Sequence, residues 1–377
     1  MKQKYIFSAP GRTEICGNHT DHQHGCVLAA AVNLETVAEV ELNDSFVIRV
    51  ESEGYPSVEI DLRDLDIRDS EKNTTSALVR GAAAVFAHRG AELRGFDARV
   101  RSTVLPGSGL SSSAAFEVLL GTIFNELFLQ GTLSAVEIAQ IGQYVENTYF
   151  GKPCGLMDQT ASSVGGMVFI DFNDPAAPIV ERIDFDFEAA GHALCIIDSG
   201  ADHADLTEEY AAIPGELKQI CAHFGKEYLR DIPEDVFFAA LPRLRHQVSD
   251  RALMRAIHVY QENKRVLRLA DALRQNDFDE FLSIVAASGR SSWMYLQNIN
   301  PAGACEHQDV AFVLALCDTL LDGRGAYRVH GGGFAGTVQA FVPLDMLDRF
   351  KTGIETILGK GSCHILSIRG QGGVRVQ

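Results

Sequence analysis

The chain has 377 residues, 46% of them hydrophobic, which is enough for a large core and excludes a disordered polymer. Lys plus Arg is 33 and Asp plus Glu is 50, so the net charge of −17 excludes a basic face for a nucleic-acid backbone but leaves room for a small anion held by backbone amides. No run of 18 apolar residues occurs, Met1–Tyr5 lacks the apolar stretch of a secretory signal, and the eight cysteines form no Cys-x-x-Cys pair, so a cytoplasmic protein with reduced thiols and no membrane partner is expected.

In chain order, Phe46–Val50 and Ser57–Ile60 read as strands joined by the turn Gly54-Tyr55-Pro56. Ser76–His88 and Ser134–Tyr149 read as helices, the second with Ser134 and Glu137 spaced for a capping box. Between them, strand Ala98–Val104 feeds a glycine-serine loop and then a helix ending near Phe128. Gly165-Gly166 turns into a strand reaching Phe172. The polar, proline-bearing stretch Asp174–Pro178 is the best break, which divides the chain into residues 1–176 and 177–377. Beyond it come strand Ala193–Asp198, a long helix over Ser249–Leu273, and two strands, Ala326–Val329 and Thr337–Val342, flanking three glycines. The class is α+β in two domains.

Four segments carry candidate chemistry. Leu105-Pro106-Gly107-Ser108-Gly109-Leu110-Ser111-Ser112-Ser113-Ala114 stands between a strand and a helix, where free N–H groups point at an anion. It lacks both the Gly-Lys-Ser/Thr ending of a Walker A loop and the third glycine of a dinucleotide fingerprint. An ordinary serine-capped helix start is the bland alternative. Pro10–Gly25 concentrates Arg12, Asn18, His19, Asp21, His22 and His24. It reads as a sugar or phosphate pocket, as a polar surface loop, or, least favoured, as a metal site. Lys152–Ser163 contains Asp158, either a helix cap or a catalytic carboxylate if the other segments meet it. His330-Gly331-Gly332-Gly333-Phe334 implies close backbone approach, with a plain hairpin turn as the alternative.

In this order the segments resemble the GHMP superfamily of small-molecule kinases, over residues 8 to about 342. Gly17-Asn18-His19-Thr20-Asp21 and Cys154-Gly155-Leu156-Met157-Asp158-Gln159 resemble the galactokinase phrases in particular. The resemblance implies a ribosomal-S5-like N-terminal domain, a ferredoxin-like C-terminal domain and a site in the cleft between them. It implies ATP over Pro106, Gly107, Ser108, Gly109, Leu110, Ser111, Ser112, Ser113 and Ala114, and Mg²⁺ near Ser113 (or Ser112) and Glu117. Asp158 and Arg12 would be catalytic, and Asn18, His19, Asp21, Gly155 and Tyr210 would bind the sugar. The implied reaction is phosphorylation of an anomeric hydroxyl, with galactose first. N-acetylgalactosamine or L-arabinose kinases and a non-catalytic sugar sensor are the alternatives. Sugar and ATP are the implied partners, for a monomer or a self-associating chain.

Three departures from the galactokinase pattern stand out. Asn18 occupies the place of a glutamate. Ile213-Pro214 replaces an arginine pair after Tyr210, and Ser292–Asn298 does not match the phrase expected there.

Overall fold

The computed structural model describes residues 3–105, 107–201 and 206–377. The chain starts with β1 (Lys4–Cys16), β2 (Cys26–Leu42), β3 (Val47–Ser52) and β4 (Val58–Asp61), followed by α1 (Thr75–His88) and β5 (Phe96–Ser102). Next come α2 (Ser112–Phe128), α3 (Ala135–Val145), α4 (Met157–Val164), β6 (Met167–Asp171) and β7 (Ile179–Ile183). The rest comprises β8 (His192–Asp198), α5 (Thr207–Ala222), α6 (Glu234–Leu244), α7 (Asp250–Arg274), α8 (Phe278–Ser291), α9 (Asp309–Leu321), β9 (Ala326–Val329), β10 (Thr337–Pro343), α10 (Leu347–Leu358), β11 (Cys363–Leu366) and β12 (Val374–Arg375).

The architecture is α+β, with two sheets. The larger has the order β12-β1-β2-β5-β3-β4, with β6 and β7 branching from β2; the smaller has the order β11-β8-β10-β9. All pairings are antiparallel except β3 with β5. Strand β7 lies beyond the expected division at 176/177 yet pairs with β6 in the first sheet, and the C-terminal β12 returns to β1. Backbone pairing thus carries the first sheet past the polar break and recruits the end of the chain.

Pro10–Cys16 lies within a buried strand rather than a polar surface loop. β1 shifts register between Pro10 and Arg12 and again between Glu14 and Cys16, and such bulges re-aim side chains. The continuous apolar run at the start of β2 is explained by burial on both faces. Val27 and Ala29 pack with Leu156, Met157 and Ala161 around α4, whereas Leu28, Ala30 and Val32 pack with Val266 and Leu269 of α7. The segment between β1 and β2 is therefore anchored to the core at both ends.

The helix expected over Ser134–Tyr149 runs as α3 to Val145 and continues as a π-helical turn, Glu146–Phe150, that ends on Gly151. Its capping box forms in both directions between Ser134 and Glu137.

Candidate active site

The four segments converge. Arg12 reaches Asp158 with Nε and Nη2, at 2.8 and 2.7 Å from Oδ1, and its Nη1 donates to the Gly109 carbonyl. Ser111 Oγ donates to the other Asp158 oxygen. Asp21 abuts Gly155, where a Cβ would fall 2.0 Å from Asp21 Oδ2, so a side chain there would displace the Asp21 carboxylate. Asn18 donates to the Gly331 carbonyl at 2.5 Å, and His19 Nε2 lies 3.0 Å from the Gly332 carbonyl.

The phosphate-type loop is shaped by positive φ angles at Gly107 (72°), Gly109 (71°) and Ser111 (54°). Ser111 is positioned as the cap of α2, but its hydroxyl goes to Asp158, and no described side chain caps the helix. The first-turn N–H groups of α2 thus remain available to an anion, which the serine-cap alternative would have consumed. The Leu110 and Ala114 side chains are buried in the core, so these residues offer only backbone to a ligand. Ser108 Oγ is spent on the Leu105 carbonyl. Pro106 lies outside the described residues.

Gly11 lets β1 come against this loop: Arg12 N donates to the Leu110 carbonyl at 3.0 Å, and a Cβ at Gly11 would meet that oxygen at 2.9 Å. From the other side the loop is tied down through His330. Gln339 Nε2 donates to Thr13 Oγ1, which lies 3.0 Å from His330 Nε2. His330 Nδ1 lies 2.9 Å from Thr337 Oγ1, whose own proton goes to the Ser108 carbonyl. Thr337 has already donated, so Nδ1 carries the imidazole proton and Nε2 accepts from Thr13. Burial, with Arg12 and Arg328 nearby, holds the His330 pKa well below the usual histidine range, so this neutral tautomer persists.

Burial by itself would raise the Asp158 carboxyl. The Arg12 charge and the hydrogen bonds from Ser111 and Arg12, with Lys152 adding to them, outweigh it and hold the pKa below the ordinary carboxylate range. The carboxylate keeps 31% of its side-chain surface exposed, whereas Arg12 keeps 7%. An ionised, anchored, reachable carboxylate beside an anion-ready helix end can accept a proton from a hydroxyl placed between them.

Glu117 lies one helical turn beyond Ser113 on α2. Its Oε2 accepts from Gln159 Nε2 at 2.9 Å, and the same amide donates to Glu146 at 3.0 Å. Glu117 Oε1 is buried without a partner. Burial first, and then the Glu146 charge, push the Glu117 carboxyl well above its usual range. Among the described residues no group of three or more His, Cys, Asp or Glu side chains is arranged to hold a metal ion. In the least-favoured metal segment, the His24 ring stacks on Tyr228 at 3.6 Å. Tyr210 donates to the Gly333 carbonyl at 2.6 Å, and burial pushes its phenol up to about 12.

A cavity of about 800 Å³ adjoins the loop, lined by Ser112, Ser113, Phe116, Tyr55, Pro56 and Ser76 among others. Tyr55 and Pro56 read from sequence only as a turn; their one signal is an aromatic exposed at its tip. A second cavity, of about 810 Å³ near Phe185 and Leu347, contains none of the expected site residues. Gln159 and Asn298 stand in stretches noted in the sequence but were given no role there, and Glu146 read only as part of a helix, because the partners of a buried amide or carboxylate show no local pattern.

Known proteins resemble this chain in sequence and in fold. Residues 1–42 match the galactokinase galactose-binding signature, and residues 77–166 match the GHMP kinases N terminal domain. A galactokinase of Streptomyces coelicolor is 33% identical over 353 residues, covering 93% of this chain and 87% of that protein. The structure of Lactococcus lactis galactokinase complexed with galactose superposes with a TM-score of 0.83 at 23% identity, covering 99% of this chain and 95% of that one. Methanococcus jannaschii mevalonate kinase shares the fold at a TM-score of 0.69 and 14% identity, with 98% of each chain covered. With a relative this similar over nearly its whole length, the chain belongs to the galactokinase family of the GHMP kinases.

Proposed function

We propose that this chain is a sugar kinase that transfers the γ-phosphoryl group of ATP to the anomeric hydroxyl of a monosaccharide, galactose foremost. The observation that carries the proposal is the junction of Arg12, Ser111 and Asp158, where the phosphate-type loop and the sugar-type loop meet at one carboxylate. Phosphoryl transfer needs positioning and charge neutralisation more than covalent help. Asp158 accepts or orients the hydroxyl proton. Arg12 keeps Asp158 ionised and faces the transferred group. The backbone of Gly107–Ala114 and the uncapped end of α2 hold the phosphates, and the cavity beside Phe116 takes the base. His19, Asp21, Gly155 and Tyr210 form the sugar side, with Asn18 behind them.

Mg²⁺ belongs to the proposal. The unpartnered Oε1 of Glu117 and the Ser113 hydroxyl one turn away fit a cation, which would also favour the ionised form of Glu117. When bound it would neutralise charge on the β- and γ-phosphates. Because all the proposed groups come from one chain, a monomer suffices. ATP as donor and eight free thiols suit the cytoplasm. No helix among the described residues is long and apolar enough to cross a membrane.

The test is ADP release with a panel of free sugars, on wild type and Asp158→Asn. Turnover with galactose is expected, and the variant should lose about 10²–10⁴-fold in kcat with little change in either KM. Wild-type sugar binding without ADP release would identify a sensor instead.

A further inference from the structure

Two of the departures noted in the sequence touch each other. Asn18 is 1% exposed and Asn298 is fully buried. Asn18 Oδ1 accepts from Asn298 Nδ2 at 2.7 Å and from Ser292 Oγ at 3.3 Å. Its Nδ2 donates to the Gly331 carbonyl at 2.5 Å and faces Glu14 Oε1 at 3.5 Å. An amide has two donor hydrogens and two acceptor lone pairs, so these contacts use its full capacity. Turning the amide over would set nitrogen against the Asn298 nitrogen and oxygen against the Gly331 carbonyl, so the orientation is determined. The main chain of Asn18 is held as well, with its carbonyl 3.0 Å from His258 Nε2.

Asn298 completes the arrangement. Its second amide hydrogen goes to the Gly332 carbonyl at 3.0 Å, its main-chain carbonyl accepts from Phe334 N at 2.6 Å, and its side-chain Oδ1 is buried without a partner. A Cβ at Gly333 would lie 2.0 Å from that main-chain carbonyl, which explains the glycine. The Gly332 carbonyl is also the partner of His19 Nε2. His19 therefore carries its proton on Nε2, leaving Nδ1 as an unpartnered acceptor.

We propose that Asn18 does not touch the sugar: with Ser292 and Asn298 Nδ2 it forms a polar lock that fixes the Gly331–Gly333 turn, and Asn298 is a positioning residue that sets the orientation of His19 through Gly332. The proposal rests on the sugar-kinase function above. A glutamate at position 18 would supply no donor for Gly331 and would bring a second carboxylate towards Glu14. It would damage the site for every sugar instead of restoring preference for one.

The test has two arms. In the first, Asn18→Glu is assayed on galactose, N-acetylgalactosamine and L-arabinose. The expected result is a common fall in kcat/KM of about tenfold or more, as for loss of a buried hydrogen bond, with the ratios between sugars unchanged. A rise with galactose, or a several-fold change in those ratios, overturns the proposal.

The second arm is a double-mutant cycle of Asn18→Ala and Asn298→Ala, read in sugar KM, ATP KM and thermal midpoint. Each single variant should raise sugar KM about tenfold and leave ATP KM within about twofold, and the double variant should be no worse than the poorer single. Additive effects on sugar KM overturn the lock, as does coupling in the thermal midpoint alone. If either alanine variant fails to fold, the near-isosteric Asn298→Asp and Asn18→Asp replace them, with the same expectations. If wild type phosphorylates no sugar, the kinase function fails separately, and the same cycle read in the dissociation constant for galactose decides the lock: coupled effects support it, and additive effects or no galactose binding overturn it.

Discussion

Ser111 stands where a helix cap would be expected, yet its hydroxyl serves Asp158. Burial raises the Asp158 carboxyl, and Arg12 and Ser111 reverse that. The sign of the consequence follows. A carboxyl with a lowered pKa stays ionised until the pH falls below the ordinary range, so the acid limb of kcat/KM lies low. Ser111→Ala removes one lowering contribution while burial persists, so that limb should move to higher pH. Arg12 remains, so turnover near neutral pH should fall less than in Asp158→Asn. A pH–rate profile of the two proteins checks this, and an unmoved acid limb would remove Ser111 from the role.

Among the elements, the ends of α2 and α3 were built for different tasks. Ser134 accepts from Glu137 N, and Glu137 accepts from Ser134 N, so α3 starts with a complete capping box. Nothing among the described side chains does this for α2. Ser134→Ala should therefore cost about 1 kcal/mol of stability and leave sugar and ATP kinetics unchanged. Denaturant unfolding alongside steady-state kinetics tests the separation. The glycine turn after β9 belongs with α2 in this respect, since Tyr210 Oη, His19 Nε2, Asn18 Nδ2 and Asn298 Nδ2 all end on its carbonyls. Its shape depends on positive φ at Gly331 (67°) and Gly333 (84°).

Across the whole molecule, the two sheets are joined by buried polar contacts. Arg328 of β9 reaches Glu14 of β1 at 2.8 Å, and Glu262 of α7 accepts from Gly17 N at 3.2 Å while paired with Arg265. Three histidines lie buried at this junction: His19, lowered to about 3, His258, lowered to about 4, and His330, lowered further from the usual range, each chiefly by burial. A buried neutral histidine must be charged on unfolding when the pH is below about 6.5, so the unfolded state binds more protons there and stability falls as pH falls. Glu14 and Glu117 oppose this, because burial raises both and the folded state holds their protons longer. With three groups against two, the thermal midpoint should drop between pH 7 and pH 5. His258→Gln should flatten that dependence by up to one proton, and a midpoint that rises on acidification would contradict the assignment.

Much of this was legible in the residues. The strands around Gly54–Pro56, the capping box at Ser134, the helix from Ser112 to Phe128 and the long helix after Ser249 all follow from local periodicity and end signals, and they stand within a few residues of their expected bounds. The four chemical segments were also legible, because glycines, serines and charged side chains packed into short stretches have few structural uses. Sequence could not decide which groups the segments spend on one another. Ser111 reads equally as a cap or a ligand, and Asn18 reads as a sugar contact. The choice depends on partners 47 and 280 residues away, Asp158 and Asn298. Local pattern determines which elements form, because their hydrogen bonds and buried faces are set by neighbours in the chain. Tertiary packing decides what each polar atom does, because most buried donors and acceptors find a partner, and that partner is chosen by the fold.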